Sequence, residues 1–116
     1  MKISDVLIKA KTLIQDPENW TQGVSARDNL HEPVPAMSRN AVCFCTYGAV
    51  DRALGLENSI HYHEVARPLK KACAAISGSS RVAEYNDTHT HPEVLALFDK
   101  AIELAKESET CLSNKN

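Results

Sequence analysis

Residues 40–55 read NAVCFCTYGAVDRALG, and this stretch decides the fold class. Ala41, Val42, Phe44, Cys45, Gly48, Ala49, Val50, Ala53 and Leu54 would cover more than half the circumference of a helix with small or apolar groups. Such a helix needs other helices to cover it, so it reads as the central helix of the domain. Ser38 or Asn40 supplies its N-cap, and Gly55 stops it after Leu54.

On the N-terminal side, Ile3, Val6, Leu7, Ala10, Leu13 and Ile14 recur at three- and four-residue steps. They predict a first helix over residues 3–14, capped by Ser4 and ended by Asp16-Pro17. Between the two helices, Glu18 to Asn40 carries Gly23, Pro33, Pro35 and several Asn and Asp, which is turn chemistry without a helical period. Within it, Trp20 to Ala26 alternates weakly and predicts a short strand or hairpin arm.

On the C-terminal side, Asn58 or Ser59 opens a third helix to about Ile76, with Val65, Leu69, Ala72 and Cys73 on its apolar side. Pro68 lies inside it, where proline costs about 3 kcal/mol, so a break is expected near Ala66 or Arg67. Arg81 to Tyr85 is extended or a first helical turn. Thr90 or His91 then caps a final helix with Pro92 and Glu93 at its start and Val94, Leu97, Phe98, Ala101, Ile102 and Ala105 as its inner face. The fold expected is mainly α: one compact domain over residues 1–108, about four amphipathic helices with a loop-rich, short-β insert between the first two. A polar, frayed tail follows Lys106 and occupies 109–116.

Of the 116 residues, 43% are hydrophobic and 24% charged, as in ordinary globular domains. A net charge of -2 gives no electrostatic reason for nucleic acid or an anionic membrane as partner. Lys2, Asp5, Lys9 and Lys11 interrupt the N-terminus, so no secretory signal is read, and no stretch approaches the roughly 18 apolar residues of a membrane span. A cytoplasmic setting follows, with Cys43, Cys45, Cys73 and Cys111 as thiols. A domain this small gains stability by dimerising, so a homodimer is admitted.

Three constellations could carry chemistry. Cys45 falls in the second turn of the expected central helix, where the helix N-terminus gives a thiolate only partial help, and a free Cys is more often a small buried apolar residue. Gly48-Ala49, one turn on, lets another element approach closely. With Cys45 as nucleophile, His91 or His89 would be the base and Asp87 or Asn86 its orienting partner. Their closeness in sequence favours an Asx turn and a helix cap instead. Trp20-Thr-Gln-Gly23 with Arg27-Asp28 is the third group: Trp20 packs on the core or lines a pocket, and Arg27 offers a planar cation, with Asp28 as its nearest partner. His61/His63, His89/His91 and Cys43/Cys45 lack zinc-type spacing, and no Gly-rich phosphate cradle occurs, so neither metal nor cofactor is expected.

These motifs together carry a resemblance. Trp20-Thr-Gln-Gly23, Ala26-Arg-Asp28, Cys45-Thr-Tyr-Gly-Ala49, Asn86-Asp87 and Thr90-His-Pro-Glu-Val-Leu-Ala-Leu-Phe-Asp-Lys-Ala-Ile102 resemble a family of small uncharacterised proteins of bacteria and their phages, over residues 18–105. The family often has Trp where this chain has Phe44, and a longer Gly-containing segment at Thr88-His89. The resemblance brings no activity with it. A phage setting implies interference with a host protein or capture of a host signalling molecule.

The reading favoured is a small non-enzymatic binding module, an accessory protein binding a host protein or a small signalling ligand through Trp20, Arg27, Tyr47, Asn86, Asp87 and His91. The alternative is a thiol hydrolase or transferase using Cys45 with His91 and Asp87; a purely structural use of the motifs is the third. Only six aromatic residues are present, and Trp20, Phe44, Tyr47 and Tyr85 lie in or beside the polar motifs, which predicts that the motifs converge on one region.

Overall fold

The computed structural model describes residues 2–55 and 60–114. The apolar period of the N-terminus gives α1 (Ile3–Leu13), whose Val6, Leu7 and Ala10 are fully buried. Lys2, not Ser4, occupies the cap position, with its amide bonded to Asp5 Oδ2 at 2.9 Å. Ser4 is buried and turned to the far end of the chain, where its amide and hydroxyl both donate to the Glu109 carboxylate, at 3.0 and 2.8 Å. A 3-10 turn (Pro17–Asn19), capped by Asp16, leads into the insert.

The insert forms a small antiparallel sheet of two-residue strands, β1 (Ala26–Arg27), β2 (Pro33–Val34) and β3 (Cys43–Phe44), in the order β2-β1-β3. Ala26 sits opposite Val34 on one side and Phe44 on the other. The insert is therefore a short-strand element, as expected, but it takes Cys43 and Phe44 from the helix predicted to start near Ser38 or Asn40. The reason lies in the hydrogen bonds. The Val42 amide donates to Arg27 O at 2.9 Å and the Cys45 amide to Ser25 O at 3.0 Å, so pairing with β1 holds residues 42–45 extended. Val42 consequently points outward while its neighbours are buried.

The central helix, α2 (Thr46–Leu54), begins only after this pairing, with Cys45 as its N-cap and Gly55, at φ 67°, as its stop. It packs against α1, against α3 (Tyr62–Ser77) and against α4 (Val82–Thr88). The caps expected for α3 at Asn58 or Ser59 lie outside the described residues. From Tyr62 the helix runs unbroken through Pro68 rather than breaking at Ala66 or Arg67. Pro68 is buried and lines one hollow with Ile3 and Leu104, and apolar burial of this kind works against the cost of the hydrogen bond its missing N–H forfeits. Residues 82–88, ambiguous in sequence, are the helix α4.

The last helix, α5 (His91–Asn114), opens with a reciprocal cap: Thr90 N and Oγ1 both donate to Glu93 Oε1 at 2.9 Å, and Glu93 N to Thr90 Oγ1 at 3.4 Å. It continues past Lys106, where a frayed tail was expected, and the Glu109 bonds to Ser4 help to explain why. α5 packs along α3 and α1, and Val94, Leu97, Phe98 and Ala101 are fully buried between them. Among the described residues, five helices rather than about four thus enclose an aliphatic core, with the sheet lying over the start of α2.

One contact sets the distance between sheet and helix. A Cβ at Gly48 would run into the carbonyl group of Ser25, whose oxygen already accepts from the Cys45 amide. The obstacle is backbone on both sides and cannot rotate away. Gly48→Ala is expected to lower the unfolding free energy by about 2–3 kcal/mol despite alanine's better helix propensity, as read by urea denaturation. A neutral or stabilising result would contradict the close approach.

Candidate functional site

Asn86, on α4, is 1% exposed and joins its helix to two distant segments. Its Oδ1 accepts from Trp20 Nε1 at 2.9 Å, from the Thr46 amide at 3.0 Å and from Thr46 Oγ1 at 2.8 Å. Its Nδ2 donates to Thr21 O at 3.1 Å and to Asp87 Oδ1 at 3.2 Å. A primary amide suits this place because it accepts on one atom and donates on the other without bringing a charge into the interior. Thr46 N is one of the amides that a helix start leaves without an intrahelical partner, so the cap of α2 comes partly from α4, 40 residues away.

The neighbouring residues extend this link. The Gly23 amide donates to Asp87 Oδ1 at 2.8 Å, and Gln22 Nε2 reaches the carbonyls of Asn86 and His89 at 3.0 and 3.1 Å. Trp20-Thr-Gln-Gly23 and Asn86-Asp87 are therefore two halves of one hydrogen-bonded seam. Arg27 stands one step behind it. Its guanidinium donates to Thr21 Oγ1, Gln22 O and His31 O at 2.9, 3.2 and 3.1 Å, fastening the 21–31 loop. The expected pair with Asp28 does not form. Asp28 Oδ1 instead accepts the amides of Leu30 and Glu32, both at 2.9 Å, as an Asx turn.

Cys45 lies beside the seam, at the N-cap of α2 rather than in its second turn. The Gly48 amide donates to its sulfur at 3.3 Å. Burial nevertheless pushes the thiol up from its ordinary value, outweighing the Gly48 and Tyr47 amides that pull it down, and the charges of Asp87 and Asp51 add to the rise. Among the described residues no hydrogen bond joins Cys45 to a histidine. His91 donates from Nε2 to Ile14 O at 2.6 Å, and its ring packs on Trp20 with centroids 5.6 Å apart. His89 bonds Tyr85 O through Nδ1 at 2.9 Å and stacks on the Tyr85 ring at 3.7 Å.

The structure thus brings Trp20, Asn86, Asp87 and His91 into one connected network, with Arg27 attached through Thr21 and Gln22. Among the described residues Tyr47 shares no hydrogen bond with this seam; it packs against Tyr62, at 5.5 Å and 50° between the rings. Tyr62 and Asp51 were not picked out in the sequence. Asp51 lies four residues after Tyr47, on the same face of α2, a spacing that could have flagged it. Nothing local marks Tyr62, whose position depends on how α3 returns to α2. Cys45, Tyr47, Asp51 and Tyr62 lie close enough for their charges to influence one another, and burial is the main cause that raises each of the four.

Residues 1–104 match the model of a family described as a family of unknown function (DUF6197). No curated protein and no solved structure matches the chain.

Asn86→Ala would strand Trp20 Nε1 and two groups of Thr46 without their partner. We expect it to lower stability by about 3–5 kcal/mol, whereas Trp20→Phe, which removes a single donor and part of a ring, should cost about 1–2 kcal/mol. Guanidinium denaturation of the two variants checks this, and equal losses would deny Asn86 its joining role.

Proposed function

The chain belongs to this family, and because no activity comes with membership we propose that it is a small non-enzymatic binding module. The observation that supports this reading is the division of labour around α2. The seam of Trp20, Asn86, Asp87 and His91, backed by Arg27, holds the start of the helix rigid. Next to it, half-buried Tyr47 and Asp51 stand with Tyr62 as a polar and aromatic face in which the Tyr47 and Tyr62 rings are already packed together. Ordering in advance of binding lowers the entropic cost of association. In this reading the motif residues are the frame, and Tyr47 belongs to the contact surface.

The same geometry favours binding over a thiol hydrolase or transferase. That chemistry needs a thiolate and a base, yet burial keeps Cys45 protonated at neutral pH, and His91 is engaged by Ile14 O and Trp20. The setting we propose is a bacterial or phage accessory protein in the cytoplasm, acting on a host protein or a small signalling ligand. Among the described residues no helix is long and apolar enough to cross a membrane.

Immobilised chain should retain a specific protein or small molecule from a bacterial lysate, and Tyr47→Ala should lose it while Lys100→Ala, on α5, keeps it. Retention that ignores both substitutions would overturn the reading. A disulfide reagent followed by peptide mapping separates the enzyme alternative. Because the Cys45 pKa is raised, its modification at pH 7 should be slower than in the urea-unfolded chain, and should accelerate only at pH values above the ordinary thiol range. Folded protein reacting faster than unfolded would favour the catalytic thiol.

A further inference from the structure

We propose that the concavity between Asp51 and Tyr62 receives the cationic end of an alkyl chain, an ammonium or guanidinium group. The inference rests on the binding-module reading and names its ligand class. The concavity measures about 510 Å³, and its walls include Pro35, Met37, Asp51, Leu54, His61 and Tyr62. Asp51 is half-buried, and among the described residues its carboxylate accepts no hydrogen bond and forms no ion pair. Burial raises its pKa.

The adjacent cation does not fill that role. Arg52 Nη1 donates to Ala36 O and Ser38 O at 2.9 and 2.7 Å, and its guanidinium lies 5.7 Å from the centre of the Phe44 ring. Arg52 therefore fixes the Ala36–Ser38 turn that forms one wall of the concavity, and is not the partner of Asp51. Tyr62, 36% exposed and backed by Tyr47, offers a ring to a cation, while Pro35, Met37 and Leu54 suit the methylene stem behind it. An anion would meet Asp51 with like charge. A neutral apolar group would bury the carboxylate further with no compensation.

The test is an NMR titration of the full ¹⁵N-labelled chain with n-butylammonium, with the peptide Gly-Arg-Gly blocked at both ends, and with butyrate. Saturable shifts at Asp51, Leu54 and Tyr62 with either cation and none with butyrate are expected. Asp51→Asn, nearly isosteric and confirmed folded by its melting temperature, should weaken the cation by about tenfold, and Tyr62→Leu by several-fold. Tighter binding of the blocked peptide identifies a side chain of a partner protein as the source, and tighter binding of butylammonium a small amine. Equal shifts with butyrate, or undiminished affinity in Asp51→Asn, would overturn the proposal. Lysate capture that depends on Tyr47 without any cation binding overturns the cation assignment alone; absence of both overturns the binding reading as well.

Discussion

One buried amide, Asn86, holds together parts of the chain that have no local reason to meet. Its oxygen serves the Trp20 indole and the first amide of α2, and its nitrogen serves the backbone of the insert and the carboxylate beside it. The insert has only two-residue strands, too short to be stable alone. What gives it a fixed place is this link to α4, with the Gln22 and Gly23 bonds that run alongside. The apolar core explains why the helices collapse together. The polar seam explains why the insert settles in one position on them.

The start of α2 is where two physical tendencies oppose each other. A helix N-terminus stabilises negative charge, and the sulfur of Cys45 sits in the position that benefits. The surroundings that order this end of the helix also remove water from it and place Asp51 and Asp87 nearby. Desolvation and the nearby carboxylates outweigh the helix amides, and the sulfur stands as the helix cap. The seam and the raised thiol pKa are thus two results of one dense arrangement.

Much of this was readable in the residues where a long period leaves no alternative. α1 and the first half of α5 each carry enough apolar positions for the helical spacing to be unmistakable, and the tight approach foreseen at Gly48-Ala49 has its partner in Ser25. The run Ala41 to Cys45 misled because five small or apolar residues fit a strand as well as a helix. The deciding partner, Ala26-Arg27, lies more than a dozen residues upstream in a stretch of weak pattern. Arg27 and Asp28 were expected to pair because they are adjacent. Instead each found backbone partners within its own loop, a preference that depends on the loop's shape rather than on residue type. The convergence of Trp20, Asn86, Asp87 and His91 was legible from where the few aromatics fall. Asp51 and Tyr62 were not, since their closeness arises only when α3 folds back on α2.

The contact between Gly48 and Ser25 places its demands very unequally on the two positions. Residue 48 strongly favours glycine, because any Cβ meets the opposing carbonyl. Residue 25 contributes only that carbonyl and leaves its side chain in solvent. Among related chains this interface would show as one invariant column facing one that drifts freely. A search for positions that change together would therefore pass over it, although it governs how closely sheet and helix lie.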